Sequence, residues 1–179
     1  RQMCIRDSPY MEHLCQRTGA SVMLSVCEGG SVITLDQVET RDNLRVVSDI
    51  GSRLPIYCTS QGKVFLAHMS RTSAEALLRA QHMTQFTPHT ITDLTALMQE
   101  IDLCRANGYA IENGEYKIGL RSISAPVYTV EGKARYTVGV IGMFRSTRSD
   151  EFLAAVEQVC ATASMISTAL GYRKTEELL

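Results

Sequence analysis

Residues 21–38 read SVMLSVCEGGSVITLDQV. Polar and apolar side chains alternate through 21–27 and again through 31–38, the period of a strand with one buried face. Glu28-Gly29-Gly30 separates the two runs. Alternating runs on either side of a glycine pair predict a β-hairpin. The pattern returns downstream in RSISAPVY (121–128) and RYTVGVIGM (135–143), with a turn at Glu131-Gly132. Pro126 has no N–H to give to a ladder, so it predicts an edge or an irregularity there. A further strand is expected at 44–47 and another from 109–111, and 51–55 is expected to be a loop.

Helical spacing fills the stretches between these strands. Residues 9–17 place Tyr10, Leu14 and Cys15 on one side and stop at Thr18-Gly19. Thr59 or Ser60 is expected to cap a helix carrying Val64, Phe65 and His68 or Met69. A second helix is expected at 73–79, followed by a connection over 82–89. Thr92 is expected to cap a helix whose apolar stripe is Leu94, Leu97, Met98, Ile101 and Cys104, ending at Asn107-Gly108. Ser149 begins the last helix, with Phe152, Val156, Val159, Ala163, Ile166 and Leu170 on its buried side. Strand runs separated by helical runs, with hairpins at both ends, predict an α+β domain with a mainly antiparallel sheet flanked by helices.

The totals narrow the function classes. The 179 residues are 45% hydrophobic and 21% charged with a net charge of -1, an ordinary globular composition without the basic excess of a domain that grips nucleic acid. No unbroken apolar run approaches the roughly 18 residues of a membrane span, so no membrane role is expected. Cys4, Cys15, Cys27, Cys58, Cys104 and Cys160 form no CxxC pair and are expected to be reduced thiols in a cytoplasmic protein. His13, His68, His82 and His89 show no HxxxH or HExxH spacing, so neither a metal nor another cofactor is expected. Residues 1–8 carry no hydrophobic period and are expected to be an assembly remnant or the tail of an upstream segment.

Four further stretches are distinctive in combination: GSRLPIYCTSQGKVFLA (51–67), TPHTITDLTAL (87–97), GYAIENGEYKIG (108–119) and LRSISAPVYTVEGKA (120–134). Together they resemble the C-terminal effector-binding domain of the IclR family of transcription regulators, over residues 9–172. The resemblance implies a GAF-like or profilin-like domain at 19–173, with 9–18 as the end of a linker helix. It implies a winged helix-turn-helix that has no counterpart in this chain, in agreement with the neutral charge. The partners it implies are a small organic acid, aromatic or sugar-derived, a homodimer or tetramer, and DNA only through that N-terminal domain. No catalysis is implied.

Candidate site residues follow from both lines. Residues 59–63 enter a helix, where unpaired N–H groups and a partial positive charge favour a carboxylate by about 0.3–1 kcal/mol. Read from the residues alone, Ser60 and Gln61 either bind such a ligand or merely cap the helix while Gly62 packs closely; the resemblance assigns Ser60 and Gln61 to the ligand. Lys63 is not part of a phosphate loop, because GxxxxGK[ST] is absent. The resemblance also places a carboxylate at Glu112, a small polar residue at Ser122 and a contact at Leu120. It implies serines where Gly139 and Ile141 stand here. That departure makes the floor less polar and favours a larger ligand with an apolar body over a glyoxylate-like one. Arg121 either clamps a ligand carboxylate or pairs with Glu112 or Glu115. Alternation sends it to the opposite face from Ser122, and Ser122 is the better candidate. Two other readings stand beside this one. One is a ligand-independent dimerisation module using the apolar face of 149–172. The other is an enzyme with Glu112 or Glu115 as base and Cys58 as nucleophile, although no Ser/His/Asp or Cys/His spacing supports it. Tyr57, Cys58, His68 and the methionines are expected to serve packing.

Overall fold

The hairpin at the head of the chain forms β1 (Ser21–Glu28) and β2 (Ser31–Val38), paired antiparallel with Glu28 opposite Ser31. In the computed structural model, which describes residues 9–41, 46 and 48–175, four more strands extend the sheet. They are β3 (Arg53–Pro55), β4 (Ala110–Asn113), β5 (Arg121–Tyr128) and β6 (Ala134–Gly142). The spatial order is β3-β2-β1-β6-β5-β4, and every pairing is antiparallel. The hairpin β1–β2 and the hairpin β5–β6 therefore join through β1 and β6 at the centre. The expected loop at 51–55 is corrected: Arg53–Pro55 pairs with β2, too short a run to show a period of two. The strand expected at 44–47 lies almost wholly outside the described residues, as do the expectations for residues 1–8.

Pro126 sits where β5 has outrun β4. β4 pairs with β5 only between Arg121 and Ser124, so Pro126 faces β6 alone, and the register shifts at Val127/Tyr128. The missing N–H thus falls on an open side of the strand.

Alternation gives the sheet two different faces. One face presents Val22, Leu24, Ile123, Ala125, Val127, Val138 and Val140 to α1 (Pro9–Thr18) and α5 (Asp150–Ala169). Met11, Leu14, Phe152, Val159 and Ile166 complete this core. Ser149 caps α5 by accepting from Phe152 N at 3.3 Å. α5 is long and apolar enough to cross a membrane by length and composition. It carries Asp150, Glu151 and Glu157, however, and its apolar side is spent on the sheet. Leu170, expected on that side, is only half-buried.

The other face carries Met23, Ser25, Ser122, Ser124, Thr137, Gly139 and Ile141, and is covered by α2 (Ser60–Ala67) and α4 (Leu94–Asn107), with α3 (Arg71–Arg79) packed on those two helices. Val64, Leu66, Leu78, Leu97, Met98 and Ile101 form a second core among these helices. α3 starts two residues earlier than expected, because Ser70 caps it by accepting from Ser73 N. α4 is capped by Asp93, not Thr92: the Asp93 carboxylate accepts from Ala96 N at 2.8 Å. Aspartate and threonine are both good caps, and here it is the acid that lies three residues before the N–H it accepts, that of Ala96. Gly108 ends α4 in the left-handed conformation, φ 78°.

Candidate functional site

α2 is buried along its whole length, an unusual fate for a helix containing Ser60, Gln61 and Lys63. Its burial begins at Gly62. A Cβ there would lie 1.9 Å from the Ile56 carbonyl oxygen, so the glycine brings the chain leading into α2 against the helix itself. Thr59 is the cap: its hydroxyl accepts from Gly62 N at 3.2 Å and donates to Pro55 O at 2.7 Å. Lys63 is 1% exposed and reaches the far side of the site, where Nζ donates to Glu115 Oε1 at 2.6 Å and to Ile111 O at 3.1 Å. Glu100 Oε2 lies 3.6 Å from the same Nζ.

That ion pair ties α2 to the turn after β4. Thr87 Oγ1 donates to Gly114 O and Thr90 Oγ1 donates to Glu115 O, at 2.7 and 2.6 Å, which holds the turn from behind. Glu112 holds it from within: Oε1 accepts from the backbone N–H groups of Glu115 and Tyr116. Burial raises the pKa of Glu112 and of Glu115; for Glu115 the adjacent Lys63 works the other way.

Between α2 and this turn lies a chain of small polar groups. Ser122 Oγ stands 2.8 Å from Ser60 Oγ and 3.2 Å from Glu112 Oε2, and its single proton is shared between them. Ser124 Oγ meets Ser60 Oγ at 2.8 Å. All three serines are buried. Gly139 makes room for them, since a Cβ on it would lie 2.3 Å from Ser124 Oγ and 2.3 Å from Ile123 O.

A cavity of about 280 Å³ opens beside this chain. Gln61, Glu112, Ser122 and Thr59 form its polar base, and Met23, Leu54, Tyr116, Leu120 and Ile141 form its apolar walls. Its outer rim carries Asp49, Arg53 and Lys117, all exposed. The rim strap leading to β3 is fastened by Gln37, whose Nε2 donates to Val46 O at 3.0 Å and whose Oε1 accepts from Ser48 N at 2.8 Å.

Five of the seven residues anticipated from the sequence therefore line one cavity: Gln61, Glu112, Leu120, Ser122 and Ile141. Ser60 stands behind them as the hinge of the serine chain, and Gly139 does not reach the cavity because Ser124 occupies the space in front of it. Arg121 points away: it donates to Phe144 O, and neither Glu112 nor Glu115 is its partner. Sequence reading missed Ser124, although its place two residues from Ser122 on a strand was the signal. It also missed Lys63, whose burial no local pattern announces.

Cys58 is not an activated thiol. Burial, with Glu115 and Glu112 nearby, pushes the Cys58 thiol up to about 12, so it stays protonated near neutral pH. His68 is committed elsewhere, 2.8 Å from Val64 O through Nδ1 and 2.8 Å from the Tyr128 hydroxyl through Nε2. Among the described residues no group of three or more His, Cys, Asp or Glu is placed to hold a metal ion, and Cys15, Cys27, Cys58, Cys104 and Cys160 form no disulfide.

Comparison with known proteins agrees with this architecture. The family model for the bacterial transcriptional regulator IclR C-terminal domain matches residues 2–168. The chain is 28% identical over 165 residues to the HTH-type transcriptional repressor AllR of Escherichia coli K12, covering 92% of this chain and 61% of the relative. The AllR of Klebsiella pneumoniae is 31% identical over the same length, with the same coverage. The chain thus spans about three-fifths of the length of these curated relatives. Among solved structures, the Thermotoga maritima IclR superposes with a TM-score of 0.87 at 28% identity, covering 96% of this chain and 70% of that one. An IclR homologue from Microbacterium hydrocarbonoxydans, solved in complex with 4-hydroxybenzoate, superposes with a TM-score of 0.81 at 25% identity, covering 90% and 65%. The α+β, GAF-like fold expected from the sequence is the fold of these domains, and the chain belongs to the family of bacterial transcriptional regulator IclR C-terminal domains.

Proposed function

We propose that this chain is the effector-binding and oligomerisation domain of a cytoplasmic IclR-type transcription regulator, and that it takes a small organic acid into the cavity between α2 and the sheet. The observation that carries this reading is the cavity itself. A volume of about 280 Å³ with apolar walls and a few convergent polar groups is the pattern of a small-molecule site, at the small end of the roughly 300–1,000 Å³ range of such sites. Glu112 Oε1 serves the turn after β4, but Glu112 Oε2 and the Ser122 hydroxyl are buried polar groups at the cavity that the turn does not use, and their burial carries a desolvation cost.

The walls support a ligand with an apolar body. Met23, Leu54, Leu120 and Ile141 leave little for a two-carbon acid to bond to, whereas an aromatic or cyclic acid fills them. A relative that binds 4-hydroxybenzoate supports the same class. DNA contact belongs to an N-terminal domain outside this chain. Ligand binding shifts the domain, or its dimer or tetramer, between two arrangements, for which a coupling of about 1–3 kcal/mol suffices.

A thermal-shift screen against keto acids, sugar acids and aromatic acids tests the reading. A ligand at about 100 times its dissociation constant adds about 2.7 kcal/mol of stability. A selective shift that is lost in Gln61→Ala and Ser122→Ala supports it. No shift from any acid contradicts it and moves the weight to a ligand-independent dimerisation module.

A further inference from the structure

The cavity has a polarity that the acid-binding reading does not by itself require. Glu112 lies at its base, 3% exposed. Oε1 is engaged by two backbone N–H groups, but Oε2 receives only the shared proton of Ser122 at 3.2 Å. The nearby cation gives it no direct help, because Lys63 Nζ is spent on Glu115, Glu100 and Ile111 O. Oε2 is thus a buried acceptor at the cavity base with room for a donor. The cations that line the cavity, Arg53 on β3 and Lys117 on the turn after β4, are exposed, and so is Asp49, so they belong to its solvent mouth and not to the buried base that holds Glu112. Arg53 Nη1 makes one long bond, 3.4 Å to Glu28 O, and Lys117 Nζ stands 5.9 Å over the Tyr116 ring, which leaves both cations further donors for a ligand. Met23, Leu54, Leu120 and Ile141 supply the apolar lining of the same cavity.

We infer that the effector enters with a hydroxyl or amino donor first, seats that donor on Glu112 Oε2, lays an apolar body along Met23, Leu120 and Ile141, and keeps its carboxylate outward at Arg53 and Lys117. This rests on the acid-binding reading and assigns the ends of the molecule. Two physical terms select the orientation. A carboxylate placed beside Glu112 brings two like charges together in a desolvated site, which disfavours the reverse orientation. An acid of the same shape without a donor displaces water from Glu112 and leaves Oε2 unpaired, and a site built to bond a hydroxyl rejects an analogue that lacks it. The discrimination is therefore made at the buried end, while the exposed cations add affinity that salt weakens.

Titration calorimetry of the chain with 4-hydroxybenzoate, 4-aminobenzoate, 4-methoxybenzoate, benzoate, gluconate and pyruvate separates the possibilities. The two donor-bearing ring acids are expected to bind at least about tenfold tighter than the methoxy and unsubstituted acids, the factor expected for a hydrogen bond to a charged group. In Glu112→Gln that gap is expected to narrow to within about threefold, because a neutral amide gains less from the donor. In Arg53→Ala/Lys117→Ala all ring acids are expected to weaken alike, with the gap kept. The wild-type series alone decides the point if a variant fails to fold. Equal binding of hydroxy and methoxy acids overturns the orientation while leaving the acid-binding domain intact, as does an undiminished gap in Glu112→Gln or binding of pyruvate in preference to every ring acid. Absence of binding by any acid overturns the orientation together with the acid-binding reading.

Discussion

Ser124 Oγ occupies the space in which a side chain on Gly139 would lie: a Cβ on Gly139 would stand 2.3 Å from it. The two residues face each other across β5 and β6, and their exchange of volume is what allows Ser124 to reach Ser60 at 2.8 Å. The family resemblance implies a serine at the Gly139 position. Here the hydroxyl comes from the neighbouring strand instead and supports the cavity base from beneath without lining it.

Gly139→Ala is therefore expected to destabilise the domain by about 1–3 kcal/mol, the usual cost of overpacking. Ser124→Ala in the same chain is expected to restore only part of the loss, because the Ile123 carbonyl oxygen is equally close to the new methyl group. Urea unfolding of the three variants measures both quantities. A neutral Gly139→Ala contradicts the packing described.

The Lys63–Glu115 pair fastens α2 to the turn after β4, and Glu115 Oε2 is already buried without a partner. Lys63→Met leaves the whole carboxylate uncompensated and is expected to cost about 3–5 kcal/mol. Lys63→Met/Glu115→Gln removes the stranded charge and is expected to recover much of that. A double variant no more stable than Lys63→Met contradicts the pairing.

Burial raises the pKa of Glu112 above its ordinary value of 4.5. The folded state thus prefers the protonated acid. This contribution to stability is fully present below about pH 4.5 and is lost as the pH rises through the raised value. Stability of the wild type relative to Glu112→Gln is expected to fall as the pH rises above about 4.5 in the ligand-free domain. A difference that stays flat or rises as the pH increases contradicts a carboxylate whose burial outweighs its hydrogen bonds.

Ser122 and Arg121 are neighbours with opposite fates. Ser122→Ala removes a hydroxyl at the cavity base and is expected to weaken an acid ligand roughly three- to tenfold, the value of one hydrogen bond. Arg121→Ala removes the bond to Phe144 O on the other side of β5 and is expected to leave affinity within about twofold while lowering stability. Calorimetric affinities beside melting temperatures distinguish the two roles. A larger loss of affinity in Arg121→Ala assigns the ligand clamp to Arg121.

Alternation and turn chemistry made the two hairpins, the antiparallel sheet and the last helix legible, because one buried face imposes a period of two and a cap names its helix. β3 was missed because three residues carry no period, and the α4 cap slipped by one because Thr92 and Asp93 are both competent. The cavity residues were legible through family resemblance more than through chemistry. What stayed hidden is the long-range part: Ser124 turning inward to Ser60, Lys63 crossing beneath α2 to Glu115, and Gln37 holding the strap that carries Ser48. Each joins residues distant in sequence, and no local period records such a contact.

The central claim is that the effector sits between α2 and the sheet. Methyl-resolved NMR of the chain, titrated with the tightest acid from the screen, tests it most directly. The account predicts saturable shifts at the Met23, Leu54, Leu120 and Ile141 methyls, which line the cavity, and little change at Val26 and Met69, which line a separate groove beside His68. Saturable shifts at Val26 and Met69 with the cavity methyls unmoved would place the ligand elsewhere and contradict the account.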